Sequence, residues 1–359
     1  MTITASAPGR CGIIGNPSDI YGGCVLSCSI PARNTCRLTV GADGPMPDDL
    51  TLWNATTARF PLANVGVEWH SEVPRSSGLS SSTAMLAATV ACVLAARGEA
   101  PDLGTPVGRV AFAELVRDIE LREAKVVCGY QDAYMIVHGG LQLMNFAGKH
   151  PIESGPPATL TSLSVGRTPP PQPSPSKEGE GGRSDAPGPT LSASFTTGGN
   201  LDFEQTSTAA PSHEEGEGAG LPFLLITTGV ERLSGSVHGP MRDRWLGGDP
   251  SVVGAMSRIT ELGRLGADAL MSGDWRSLAE MMTGNHRLVA ELGGSGDAID
   301  SLIADCLDCG ALSAKLAGAG LGGTVIALTE QANVLEEGLR TRGYSRFLRP
   351  SVEPGLRFE

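Results

Sequence analysis

The chain has 359 residues, 40% hydrophobic and 18% charged, with a formal net charge of −12. That length suits two domains of ordinary size, and that composition supports buried cores. So acidic a chain excludes a broad nucleic-acid or anionic-membrane surface, so any anion it binds must be held by local donors.

From the N-terminus, CGIIG (11–15), CVLSCSI (24–30) and CRLTV (36–40) read as short strands, with the turn formers NPSDIYGG between the first two. SSSTAMLAATVACVLAAR (80–97) is Ala-rich and opens on hydroxyl residues, which predicts a helix. Thr105 and Pro106 suit the start of a second helix over 105–124. GLQLMNF (140–146) reads as a strand. The longest nearly apolar run, Met85 to Ala96, is 12 residues, short of the ~20 a membrane span needs. The opening MTITASAPGR has no apolar signal core, which predicts a cytoplasmic protein with no membrane partner. The eight cysteines sit mostly in apolar stretches, as reduced thiols do. Cys306 and Cys309 lack the second pair or the histidines of a zinc site and read as two helical cysteines one turn apart.

Composition changes over 155–220, where two similar tracts, PSKEGEG and PSHEEGEG, lie among eight acidic and three basic residues. Too few apolar side chains are present to offset the entropy of ordering, so a disordered insertion is expected there. It divides a first domain (1–154) from a second (221–359), and residues 160–218 should be replaceable by a short linker. Beyond it, LPFLLITTGV (221–230) and TVIALTE (324–330) read as strands, and 239–272, 275–292, 297–309 and 331–343 as helices. Strands and helices mix without regular alternation, which favours an α+β fold over a doubly wound sheet.

Three segments carry chemistry: APGRCGIIGNPSDIYGG (7–23), PRSSGLSSSTA (74–84) and AKLAGAGLGGT (314–324). In the second, Gly78 and Ser80–Ser82 precede a helix. Accessible amides, hydroxyls and the positive helix end make an anion site suited to phosphates, or else a loop that caps a structural helix. No Walker GK[ST] follows. In the third, glycines at 318, 320, 322 and 323 before a strand imply close backbone packing or a tight turn.

In this order the three segments resemble the motifs of the GHMP kinases, the superfamily of galactokinase, homoserine kinase, mevalonate kinase and phosphomevalonate kinase. The resemblance covers the chain outside 155–220. NPSD (16–19), CGYQDAY (128–134) and SGSVHGPMRDRWLGGDP (234–250) resemble glucuronokinases, whereas 285–328 is closer to mevalonate kinases. The resemblance implies two domains, one like ribosomal S5 domain 2 and one ferredoxin-like, with ATP between them. It implies an ATP- and Mg2+-dependent kinase for a small molecule: a sugar or sugar acid, glucuronate first, or mevalonate. Pro74, Ser77, Gly78, Leu79, Ser80, Ser81, Ser82 and Thr83 would surround the nucleotide. Ser82 and Glu120 would hold Mg2+, with Glu123 as the rival carboxylate.

Asp132 would take the acceptor proton, Arg10 would face the transferred phosphoryl group, and Asp19, Gly318, Ala319 and Gly320 would meet the acceptor. Plainer roles stand beside these: a helix N-cap for Asp132, an Asx turn for Asp19, a surface position for Arg10. Arg242 and Arg244 suit a substrate carboxylate or a solvated helix. A non-catalytic nucleotide or sugar sensor is the rival of another class, but it should have lost the base or the metal ligand. Here Arg10, Ser82, Glu120 and Asp132 are all present. A scaffold that recruits partners through 155–220 is a third reading.

Overall fold

The computed structural model describes residues 1–41, 44–152, 155–164, 220–230, 235–318 and 323–359. The first layer is a six-stranded antiparallel sheet. Its strands are β1 (Thr2–Ile14), β2 (Cys24–Val40), β3 (Val65–Ser71), β4 (Leu141–Asn145), β5 (Thr159–Ser162) and β10 (Arg357–Phe358). They lie in the order β10-β1-β2-β4-β5, with β3 also paired to β2. The long β2 makes this possible. Cys24–Cys28 pairs with β4, and Asn34–Val40 pairs with β3. The two strands expected over 24–30 and 36–40 are therefore one. Pro31, which lacks an amide, suggests a break, but the chain continues past it at a register shift opposite Pro8–Arg10.

Four helices cover one face: α1 (Thr51–Arg59), α2 (Ser81–Ala96), α3 (Pro106–Arg122) and α4 (Gln131–His138). α2 is the central one. Ala84, Ala87, Ala88 and Ala91 are fully buried, and their small side chains let the helix lie close to both sheet and neighbouring helices. α3 starts as its sequence predicts, with the Thr105 hydroxyl accepting the Gly108 amide at 3.1 Å and Pro106 in the first turn.

The second layer is a four-stranded antiparallel sheet ordered β7-β8-β6-β9, from β6 (Phe223–Thr227), β7 (Ser313–Leu316), β8 (Thr324–Leu328) and β9 (Phe347–Leu348). With it go α5 (Gly235–Leu246), α6 (Pro250–Ser272), α7 (Trp275–Glu291), α8 (Asp297–Asp308) and α9 (Ala332–Thr341). The helix expected over 239–272 is two. Asp249 accepts the Ser251 amide at 2.9 Å and Pro250 follows it, so a new helix begins there. One apolar cluster joins the layers: Cys11, Ile13 and Ile14 of β1 pack with Phe223, Leu225, Ala267 and Ile326.

Two expected boundaries move. Residues 159–162 form β5, paired to β4, so the ordered chain extends past 154. Residues 165–219, most of the expected insertion, lie outside the described residues. At the other end, β10 pairs with β1 (Ala5 with Phe358, Ser6 with Arg357). The last residues therefore belong to the first layer and not to a domain running to 359. The cause is β1's outer edge, whose backbone groups need partners.

A buried polar network ties β7 to the first segment. Lys315 is 1% exposed, and its Nζ donates to Asn16 Oδ1 at 2.9 Å and to Leu316 O at 2.5 Å. Asn16 Nδ2 donates to Gly318 O. Asn285 of α7 accepts the Gly15 amide at 2.8 Å and donates to Asn16 O at 3.0 Å. Burial pulls the Lys315 ammonium down to about 7; Cys11 opposes that and Arg10 adds to it.

Two outcomes follow from this architecture. Replacing 165–219 with a short Gly/Ser linker should leave the melting temperature within about 2 °C, because the entropy of closing a loop changes only slowly with its length. Cutting back to 159 removes β5 and should lower it by at least about 4 °C, both read by circular dichroism. Lys315 sets a pH dependence. Between about 7 and its ordinary value of 10.5, the unfolded chain holds a proton on this residue that the folded chain lacks. Its contribution to stability therefore rises with pH across that window, by at most ~1.4 kcal/mol per unit. Denaturant titrations of wild type and Lys315→Met from pH 7 to 10 should diverge in favour of wild type. Parallel curves would mean the amine is charged when folded.

Candidate active site

β1 brings the three segments together. Its Arg10 amide donates to Leu79 O at 3.1 Å, and its Gly12 amide donates to Ala317 O at 2.9 Å. The second and third segments also touch directly. A Cβ placed on Gly318 would lie 3.0 Å from Gly78 O, and one on Gly323, at φ +92°, only 2.1 Å from Ser77 O. No side chain fits between them. The close packing expected of the third segment is thus packing against the second.

The 74–83 loop is held from within. Ser77 donates to Pro74 O at 2.7 Å, Ser81 donates to Val73 O at 3.0 Å, and Asn34 donates to Ser81 O at 2.7 Å. Leu79 is buried in the apolar cluster between the layers. Ser80 stands at φ +62°, a left-handed conformation rare for any residue but glycine, and its buried Oγ has no partner among the described residues. Strain together with an unsatisfied hydroxyl marks a loop shaped for something other than its own stability. α2 begins at Ser81, so Ser81 and Ser82 lie inside its first turn, not before it.

Arg10 is 4% exposed. Its Nε and Nη2 reach Asp132 Oδ1 at 2.7 and 2.6 Å, and its Nη1 donates to Gly78 O at 2.7 Å. A surface role for this arginine is therefore ruled out. Both contacts go to Oδ1 of Asp132, whose side chain is 24% exposed. Asp132 is the second residue of α4 and not its N-cap, which is Tyr130. The plainer reading of Asp132 fails on that count.

Glu120 is buried and sits behind Asp132. Both of its oxygens accept from Thr83 Oγ1 at 3.0 Å. Burial first, and the charge of Asp132 second, push its carboxyl up to about 7, against the hydrogen bonds of Thr83 and Cys128 and the charge of Arg117. The structure thus pairs Glu120 with Thr83, one residue past the expected Ser82, which is exposed. Glu123 faces Arg59 at 3.3 Å instead. Among the described residues no group of three or more His, Cys, Asp or Glu is placed to hold a metal. The oxygen donors present nonetheless suit a hard cation that takes most of its ligands from phosphate and water. Two mutually repelling carboxylates, Glu120 and Asp132, are what such a cation would relieve.

Asp19 is 3% exposed, and its Oδ2 accepts the Tyr130 and Gln131 amides at 2.7 and 2.9 Å. It is joined to the start of α4 and not to a local Asx turn. Gly318 is buried against the loop, whereas Ala319 and Gly320 lie outside the described residues. Arg244 binds Asp249 at 2.9 Å and Ser251 at 3.0 Å, at the α5–α6 junction, and Arg242 binds Asp243 at 3.1 Å. The Asn16–Lys315–Asn285 network was not foreseen. Its signal was a lone lysine in the apolar run SAKLA, since a charge in a buried strand needs partners.

Comparison with known proteins fits this geometry. A family model described as GHMP kinases N terminal domain matches residues 51–140, and one described as GHMP kinases C terminal matches 267–345. Glucuronokinase 1 of Arabidopsis thaliana is 24% identical over 289 residues, 79% of this chain and 63% of that protein. The chain thus spans less than two thirds of the length of that relative. Leishmania major mevalonate kinase, solved in complex with R-mevalonate, superposes with a TM-score of 0.62 at 16% identity, over 97% of this chain and 96% of that one. Lactococcus lactis galactokinase, solved with galactose, gives 0.65 at 15% identity, over 99% and 95%. Models of the N- and C-terminal domains of GHMP kinases thus match the chain in order, and its fold is the two-domain fold these structures share.

Proposed function

We propose that the chain transfers the γ-phosphoryl group of ATP to a hydroxyl of a sugar or sugar acid, with glucuronate the first candidate. One observation carries the reading: the buried Arg10 guanidinium bridges the Gly78 carbonyl of the glycine–serine loop and the Asp132 carboxylate. A donor-binding element and a proton acceptor thereby share one cation. Loop amides, the Ser80 hydroxyl and the N-terminal end of α2 would hold the phosphates. Asp132 Oδ2, the oxygen not engaged by Arg10, would take the proton of the acceptor hydroxyl as the hydroxyl oxygen attacks the γ-phosphorus and ADP leaves. Arg10 would offset the charge on the transferred group. Glu120, with the Thr83 or Ser82 hydroxyl, would hold Mg2+, which neutralises phosphate charge when bound.

The sugar or uronic acid acceptor rests on NPSD, on 234–250 and on the glucuronokinase relative. Mevalonate is the second reading, favoured by the 285–328 segment. A non-catalytic sensor is disfavoured because Arg10, Asp132 and Glu120 stand together. No helix among the described residues is long and apolar enough to cross a membrane.

The test is a phosphorylation screen with Mg-ATP against uronic acids, hexoses and mevalonate. Turnover of mevalonate with none of any sugar would overturn the acceptor assignment. On the true substrate, Asp132→Asn should lower kcat by about 10²–10⁴-fold, the usual value of general-base help, while the affinity for ATP changes little. Near-wild-type turnover would remove Asp132 from the chemistry. Thr83→Ala and Glu120→Gln should each raise the Mg2+ concentration needed for half-maximal rate. If Ser82→Ala alone does so, the ligand is the exposed serine.

A further inference from the structure

We propose that Asp19 is a positioning residue: it caps α4 from a distance and thereby sets where Asp132 stands. This rests on the reading of Asp132 as the proton acceptor. α4 has no cap of its own, because its N-cap residue is Tyr130, whose side chain makes no capping bond. The first amides of a helix have no intrahelical partner and must find one elsewhere. Here they find a carboxylate more than a hundred residues away in sequence. Asp19 Oδ2 accepts the Tyr130 amide at 2.7 Å and the Gln131 amide at 2.9 Å, and Asp132 is the next residue. A charged acceptor at a helix N-terminus gains from both the hydrogen bonds and the helix dipole.

A second observation is independent of the hydrogen bonds. Gly129 leaves the space that Asp19 occupies, and a Cβ built there would lie 2.0 Å from Oδ2 and 2.9 Å from Cγ. The Cys-Gly-Tyr-Gln-Asp turn is thus shaped around the aspartate. Asp19 itself lies in the 3-10 turn Ser18–Tyr21, entered through Pro17, and the residue before that, Asn16, is held by Lys315 and Asn285. The buried network of the second layer therefore reaches Asp132 through Asp19. The consequence is specific: losing Asp19 shifts the base relative to a bound acceptor and leaves the binding sites in place. An angstrom-scale misplacement of a reacting group lowers rate steeply.

The test compares Asp19→Ala, Asp19→Asn and Gly129→Ala. Asp19→Ala should lower kcat by roughly 10²-fold with the KM for ATP and acceptor nearly unchanged. Asp19→Asn keeps an oxygen acceptor for the two amides and should recover most of the rate. Gly129→Ala should resemble Asp19→Ala, and the double variant should be no worse than either single one, as residues acting through one contact behave. A rise in acceptor KM with kcat kept, or additive losses in the double variant, would overturn the proposal. A readout free of turnover separates this idea from the kinase reading. In Asp19→Ala, the Tyr130 and Gln131 amides should exchange hydrogen about tenfold faster, the loss expected of a missing cap. Unchanged exchange would sink the cap even if the enzyme is active. Faster exchange in a protein that phosphorylates none of the acceptors would leave the cap standing and the kinase reading wrong.

Discussion

Everything at the site hangs from one strand. β1 supplies the Arg10 amide to the serine loop, the Gly12 amide to the third segment and the Arg10 guanidinium to Asp132. A strand in a paired sheet has little freedom to slide, because a shift of one residue would reverse every side chain. The register shifts between Pro8 and Arg10 and between Gly12 and Ile14 let this strand be regular in pairing yet irregular where the site needs it. Loops that would drift in isolation are thus referred to a rigid common frame. The strand's two ends face different cores, Ala5 and Ala7 against the helices and Ile13 and Ile14 against the second layer.

The electrostatics are arranged by burial as much as by pairing. Arg10 is enclosed, so its charge is only weakly screened, and it faces a carboxylate and a carbonyl. Glu120 has a hydroxyl where Asp132 has a guanidinium, and its carboxyl is pushed toward neutrality. Lys315 is enclosed with neutral partners and is pushed the same way. Three buried ionisable groups thus meet different environments.

The three segments were legible because their chemistry is local: a glycine beside a serine run, an arginine after Ala-Pro-Gly. What joins them was not. Asp19 and Gly129 are far apart in sequence, and neither announces the other. Gly129 reads as an ordinary turn residue until the carboxylate beside it is seen. Asn16 and Lys315 are a similar case. Thr83 was placed near the nucleotide, but its bond to Glu120 depends on how α2 meets α3, which spacing within either helix does not reveal. β2 was read as two strands, but it runs through Pro31, and the irregularity is absorbed at the shift opposite Pro8–Arg10. α1 and β10 escaped notice for a simpler reason. α1 has no pronounced apolar face and β10 has two residues, so neither carries a periodic signal.

The pairing of β1 with β10 bears on the order in which the molecule forms. Ser6 is bonded to Glu359 across 353 positions, and Arg33 holds the carbonyls of Pro354 and Gly355. Contacts that close such long stretches of chain form late and slow the search for the native state. The edge of the strand on which the site depends is thus covered among the last events of folding. Until then β1 presents open backbone groups to any other strand, and the route to the native state is most exposed to misassembly at the site's own foundation.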